Sequence, residues 1–211
     1  MRKIYCFGTS GGCLDAFYLH NEVAHTREKT YFLSDNHAIG DILYGCEVAG
    51  SFQSISTLDT SDCEFIYQCG SSENHVHRHI WYKRAKDVGL SPRTLISKDA
   101  YIHDTVSIGQ GSIIYPGVKI MTNVVIGENC VVLPNTVINH DTQVGDFSII
   151  NSSCVLNGGI QLGNNCYLGS SSSIKENCII SHDTTIGMAS CVLNSVNKPG
   201  IYFGSPAKFI R

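Results

Sequence analysis

From Ile96 to Val192 an aliphatic residue returns at every sixth position, through Ile102, Ile108, Ile114 and on to Ile180 and Ile186, seventeen times without a miss. A helix repeats at 3.6 residues and a half-buried strand at 2, so a strict six predicts short strands joined by turns in a solenoid. Its core is one stacked ladder of aliphatic side chains. Gly109, Gly127, Gly145 and Gly163 follow ladder residues at intervals of eighteen, which makes three hexads one triangular coil. At about 4.8 Å between stacked strands, nearly six coils give a prism under roughly 30 Å long. No hexad carries an inserted loop, so any site must be built from the faces and edges of the prism.

The first ninety residues follow another pattern. Lys3 to Gly8 read as a buried strand, Thr9-Ser10-Gly11-Gly12 as a turn, and Leu14 to Ala24 as a helix. Strand, glycine turn and helix open a nucleotide-binding βαβ unit, in which free amides at the helix start favour phosphate. The fingerprint is partial, because Cys13 takes the third glycine position counted from Gly8. A second strand, Thr30 to Leu33, ends in Ser34-Asp35-Asn36, where an acid holds a ribose hydroxyl or a base edge, or caps a turn. Cys63 to Gln68 form a third strand, and Ser71 to Asp87 a helix capped by Ser71 or Ser72. Of His75, His77 and His79, only the first and last align on a helix, which reads as a solvated face rather than a metal site. Gly89-Leu90-Ser91-Pro92 divides residues 1–91 from residues 92–211.

Composition narrows the partners. A net charge of -3 leaves no footprint for nucleic acid or an anionic membrane surface. Met1 to Gly8 lack the apolar core of a signal peptide, and no run reaches the roughly 20 apolar residues of a membrane span, so a cytoplasmic protein is expected. Ten cysteines in such a chain call for another role than disulfides. Cys130, Cys154, Cys166 and Cys178 each precede a ladder residue by two, as do Ala100, Ser112, Thr136, Ser148, Ser172, Thr184 and Ser190. That column selects small side chains, and free cysteine serves as one.

Candidate chemistry rests on three solenoid histidines, His103, His140 and His182, which share no column and predict no metal site. Two have twin settings, Asn139-His140-Asp141 and Ser181-His182-Asp183, on different faces. One coil after His140 comes Gly158, within Asn157-Gly158-Gly159, whose backbone amide is placed to meet a developing oxyanion near a histidine base. One coil after His182 the arithmetic gives Gly200. Spacing favours His140, with Asp141 orienting its ring.

Together these motifs resemble the bacterial sugar O- and N-acetyltransferases of the NeuD and PglD type. The likeness is most specific from His140 through Val144-Gly145-Asp146-Phe147 to Gly158 and on to Gly169, and Gly204-Ser205-Pro206-Ala207-Lys208 is similar to the closing motif of hexapeptide acyltransferases. The resemblance implies an α/β, Rossmann-like N-terminal domain followed by an all-β left-handed parallel β-helix, assembled as a homotrimer that binds acetyl-CoA between prisms without metal. It implies His140 as general base with Asp141. A nucleotide-linked amino sugar would be held by Gly8, Ser10, Gly11, Asp35 and Asn36. Acetyl-CoA would run along Gly158, Gly159, Gly169, Ser170, Gly187 and Lys208. Ile149 stands where the family often has a histidine, and Gly12-Cys13 where His-Gly is frequent. N-acetylation of the sugar is the expectation, beside O-acetylation of the sialic-acid type and a catalytically silent nucleotide-sugar scaffold.

Overall fold

The computed structural model describes residues 2–24, 28–58, 60–68 and 78–211. Two compact units result, the first closing at Leu95 and the second running from Ile96 to Arg211.

In the first unit, β1 (Arg2–Phe7) leads into α1 (Gly12–Val23), then β2 (Glu28–Leu33), β3 (Ile42–Leu43), β4 (Cys46–Gly50), β5 (Cys63–Tyr67), α2 (Arg78–Asp87) and β6 (Ser91–Pro92). The expected Ser71 or Ser72 cap, His75 and His77 lie outside the described residues, and His79 is exposed. The strands form one sheet in the order β3-β4-β2-β1-β5-β6, parallel except for the β3/β4 hairpin. That hairpin turns through Tyr44 and Gly45, both at positive φ (50° and 79°), the geometry a two-residue turn prefers. The chain builds outward from β1 on one side through β2 and β4, then crosses to β5 on the other. The carboxyl ends of β1 and β5 therefore flank the topological switch point, where open α/β sheets bind ligands.

Ile4, Cys6, Phe32, Val48 and Phe65 fill the core of this unit. Beside them, Arg93 ties three strands together. Its guanidinium makes a two-pronged contact with Glu28 at 2.9 and 3.0 Å and reaches Glu64 at 2.6 Å. Arg93→Ala leaves two carboxylates, partly to largely buried, side by side, and should cost about 3 kcal/mol or more, read as a lower urea midpoint.

His20 on α1 is fully buried, with Nε2 3.2 Å from Thr30 Oγ1 and Nδ1 without a partner among the described residues. Burial, reinforced by the charge of Arg93, lowers its pKa to about 4. Above pH 6.5 the ring is neutral in both folded and unfolded chains. Below it the unfolded chain takes up a proton that the folded chain refuses until about pH 4. Stability should therefore fall across that window by up to roughly 3 kcal/mol, and His20→Phe should remove this component from urea melts compared at pH 7 and pH 4.5.

The second unit is the predicted solenoid. One face stacks Leu95–Ile96, Ile113–Ile114, Val131–Val132, Ile149–Ile150, Tyr167–Leu168, Thr184–Ile186 and Gly200–Phe203. The second face runs from Tyr101–Ile102 to Cys191–Val192, and the third from Ser107–Ile108 to Ile179–Ile180. Partners are parallel and eighteen residues apart, as in Val137↔Val155. From Ile114 to Val192 every ladder residue is at most 3% exposed, whereas Ile96, in the first coil, is 39% exposed. One turn residue per hexad, from Gly111 to Ala189, lies at positive φ. Glycine and asparagine tolerate that conformation best, which accounts for their abundance at the corners.

The small-residue column does more than pack. Many of its hydroxyls and thiols donate to a carbonyl fifteen residues ahead: Ser112 Oγ to Gly127 O at 2.8 Å, Thr142 Oγ1 to Asn157 O at 3.0 Å, Cys130 Sγ to Gly145 O at 3.2 Å. Several accept a backbone N–H from the next coil, as Ser112 does from Cys130 at 2.9 Å. Cys130, Cys154, Cys166 and Cys178 are all buried in this column, and burial pushes the Cys166 thiol up to about 12.

The last coil departs from the eighteen-residue period. Thr184 pairs with Gly200 and Ile180 bridges to Val196, both offsets of sixteen. Two residues are missing from the turn after Val192, and buried Val196 replaces the expected ladder position.

Candidate active site

His140 follows the second-face strand Val137–Ile138 and precedes the third-face strand Gln143–Val144, so it stands on the edge between them. Asp141 occupies the left-handed turn position (φ 58°), which turns its carboxylate back to the ring. His140 Nδ1 lies 2.9 Å from Asp141 Oδ2, and Asn123, one coil earlier, donates its side-chain amide to Asp141 Oδ1 at 3.0 Å. These two hydrogen bonds hold the Asp141 carboxyl below the ordinary carboxylate range, the larger share coming from His140. An ionised Asp141 accepts the Nδ1 proton, which leaves Nε2 of the neutral ring as the acceptor. The imidazole is exposed, with 64% of the side chain open to solvent.

Gly158 lies one coil on and directly against the ring. A Cβ on Gly158 would fall 2.5 Å from His140 Cε1 and 2.6 Å from Nε2. The Gly158 amide makes no hydrogen bond among the described residues, while its neighbour Gly159 donates to the His140 carbonyl at 2.9 Å. The site thus pairs a proton acceptor with an uncommitted backbone donor.

His182 repeats the triad on another edge. Its Nδ1 is 2.7 Å from Asp183 Oδ2, and Asn165 donates to Asp183 Oδ1 at 3.1 Å. The triad itself is therefore a product of the turn, where histidine precedes an aspartate in the left-handed position and an asparagine sits one coil below. Beyond the ring the two sites differ. Because of the two missing residues, the register puts Lys198, not Gly200, one coil after His182. The eighteen-residue arithmetic fails there, and Gly200 pairs with Thr184 instead. Between the two edges the third face carries a groove of about 440 Å³, lined by Gln143, Gln161, Asn164 and Ile179 but by neither histidine.

The remaining expected residues fall in separate places. Gly158 and Gly159 share the His140 edge, while Gly169, Ser170 and Gly187 lie on the edge between the first and second faces. There Gly169 packs beneath the Met188 backbone and Gly187 beneath the Phe203 ring. Lys208 sits on a terminal strand, Lys208–Phe209, antiparallel to Gly200–Phe203, and the preceding tail docks through Gly204 N–H to Ser190 Oγ at 3.0 Å. One chain does not bring these residues together with His140. Ile149 is buried on the first face between Val131 and Tyr167.

In the first unit Gly8 (φ 94°) donates to Leu33 O at 2.9 Å, and Gly11 (φ 53°) caps α1 without any side-chain hydrogen bond. The Ser10 carbonyl accepts from Cys13 N–H at 3.2 Å. Gly12 abuts the Gln68 side chain, and a Cβ there would fall 2.7 Å from Gln68 Nε2. Asp35 Oδ1 accepts from Phe52 N–H at 2.9 Å, so half of this carboxylate caps a turn. Asn36 donates its N–H to Ser34 Oγ at 3.2 Å. Sequence reasoning missed His37, whose Nδ1 lies 3.0 Å from Ser34 Oγ, because nothing in the order of residues announces that contact. Asn123 was missed as well, although eighteen-residue spacing places it beneath Asp141.

Among the described residues no group of three or more His, Cys, Asp or Glu could hold a metal ion, and no helix is long and apolar enough to cross a membrane.

Fold and site together define a hexapeptide β-solenoid with a backed histidine on one edge, joined to a parallel α/β unit. Residues 91–199 match the GMPPB C-terminal domain family, and the chain belongs to that family. Among proteins of curated function none matches. Solved structures share the fold over the full length. The chain is similar to the acetyltransferase domain of PglB from Neisseria gonorrhoeae, at 20% identity and a TM-score of 0.90 over 100% of both chains. That domain in complex with acetyl coenzyme A gives 20% and 0.89 over 99% of each chain. A histidine-to-asparagine variant of perosamine N-acetyltransferase from Caulobacter crescentus, in complex with CoA and GDP-perosamine, gives 19% and 0.90 over 100% of this chain and 97% of that one. At these identities the likeness is one of fold.

Proposed function

We propose that this protein transfers the acetyl group of acetyl-CoA to the amino group of a nucleotide-linked amino-deoxy sugar. The observation that carries the reading is His140, with Nδ1 engaged by Asp141 and Gly158 packed against its ring, while Nε2 and the Gly158 N–H make no hydrogen bond among the described residues. Support comes from the solved structures of like fold, whose names join sugar N-acetylation to CoA and a nucleotide sugar.

In this reading the sugar amine adds to the thioester carbonyl carbon as His140 Nε2 takes the ammonium proton. The Gly158 amide donates to the oxyanion of the tetrahedral intermediate. Collapse breaks the carbon–sulfur bond, and the imidazolium returns its proton to the departing CoA thiolate. No acyl-enzyme forms. Asp141 keeps the imidazole in the tautomer that accepts at Nε2.

Residues 1–91 would form a Rossmann-like domain that holds the nucleotide through Gly8, Ser10, Gly11, Asp35 and Asn36, and residues 92–211 a left-handed transferase helix. A homotrimer accounts for the separation of the expected acetyl-CoA residues, since the Gly169, Ser170 and Gly187 edge of one prism would meet the His140 edge of the next. Activated sugars and acetyl-CoA are cytoplasmic metabolites, which fits that location. The direct test is release of CoA thiol with UDP-, dTDP- and GDP-linked 4-amino and 3-amino sugars. Turnover on one of these supports the reading; turnover on free sugars alone would overturn it.

A further inference from the structure

His37 lies at the carboxyl end of β2 and is used by nothing in the mechanism. Its ring is fixed from one side only. Ser34, whose hydroxyl is buried, approaches Nδ1 at 3.0 Å, and Thr9 of the glycine turn makes a longer contact with the same nitrogen at 3.5 Å. Ser34 Oγ accepts the Asn36 N–H and keeps its own proton to give to His37 Nδ1. With Nδ1 accepting that proton, the proton of the neutral ring sits on Nε2. That N–H has no partner among the described residues, on a side chain that is exposed.

The ring thus spans from the β2 end to the glycine turn and offers one oriented donor there. The turn contributes the start of α1, where Gly11 brings no capping side chain and the Gly12 N–H makes no hydrogen bond among the described residues, which suits an anion. Asp35, two residues before His37, suits a hydroxyl or base edge and would repel phosphate. A donor between them meets the acceptor-rich part of a nucleotide.

We propose that His37 is a substrate-binding residue that donates its Nε2–H to a diphosphate oxygen of the nucleotide sugar, an inference that rests on the nucleotide-sugar reading above. Ser34 is its positioning residue, holding the tautomer.

Calorimetric titration of the full chain with UDP, GDP and dTDP, and with the corresponding nucleosides, tests this. His37→Phe keeps a ring and removes the donor; it should raise the Kd of the preferred diphosphate ~10- to 100-fold, the loss of one hydrogen bond to a charged acceptor. His37→Gln keeps an N–H and should recover part of that loss. Acetyl-CoA affinity and the melting temperature should stay at wild-type values in both. Equal diphosphate affinity in wild type and His37→Phe would overturn the inference and leave the nucleotide reading standing. A nucleoside weakened as much as its diphosphate would move the contact to the base and overturn the diphosphate assignment. Equal losses in His37→Phe and His37→Gln would reduce His37 to a structural role. A wild-type chain that binds none of the three diphosphates would remove the nucleotide reading itself, and this inference with it.

Discussion

On the proposed reading, His140→Ala should lower acetyl transfer by ~1,000-fold, within the usual range for loss of a general base, with acetyl-CoA affinity kept at the wild-type value. His182→Ala should leave turnover unchanged. The pair of variants is decisive because the two histidines are alike in every local respect. Each precedes an aspartate at positive φ, each has Nδ1 within 2.9 Å of that carboxylate, and each aspartate is held by an asparagine one coil earlier. A mechanism that needed only a backed imidazole would predict equal losses. The difference lies one coil further on, where His140 meets a glycine with an uncommitted amide and His182 meets the position of Lys198. Equal loss in both variants would place the chemistry in the triad alone, and loss only in His182→Ala would move the site to the other edge. Asp141→Asn, which still bonds the ring but can offer its amide and lacks the charge, should cost less than His140→Ala and more than His182→Ala.

The solenoid was legible because its period is enforced by stacking. A ladder residue displaced by one position would point outward, so Ile114 through Val192 hold phase, and the coil length follows from the glycines at Gly109, Gly127 and Gly145. The same arithmetic set Gly158 beside His140. It failed at Gly200 because two residues are missing from the turn after Val192: the next ladder place in sequence is Lys198, buried Val196 fills it instead, and Ile180 with Val196 and Thr184 with Gly200 pair at sixteen. In the first unit β1, β2 and β5 were readable as apolar runs. The hairpin Ile42–Leu43 and Cys46–Gly50 was not, since strands this short carry no period and their register is set by the turn at Tyr44 and Gly45. The hydroxyl and thiol bonds of the small-residue column were hidden for a further reason. Size selects Ser112, Cys130 and Thr142 alike, and the carbonyl each one serves lies fifteen residues away.

Gly158→Ala should cost nearly as much activity as loss of the base, with little change in stability. The substitution adds a single methyl group at a position whose φ lies outside the left-handed region, so the backbone tolerates it. The methyl carbon would fall 2.5 Å from His140 Cε1 and 3.1 Å from Nδ1, far inside van der Waals contact. The ring, exposed and fastened among the described residues through Asp141 alone, gives way more easily than the coil beneath it, where Asn177 donates its N–H to the Gly158 carbonyl at 2.9 Å. A displaced ring loses its Nδ1 bond, and Nε2 leaves the place where an attacking amine would need it. Misplacement of about 1 Å can cost of the order of 100-fold in rate. Two measurements separate this from a folding defect. The urea midpoint of Gly158→Ala should match wild type within error. In the double variant with His140→Ala the methyl meets no ring, so adding Gly158→Ala to His140→Ala should cost no further activity. Additive losses would show that the added methyl disturbs the site by a route other than the ring, and a full-activity Gly158→Ala would dissociate the ring position from catalysis.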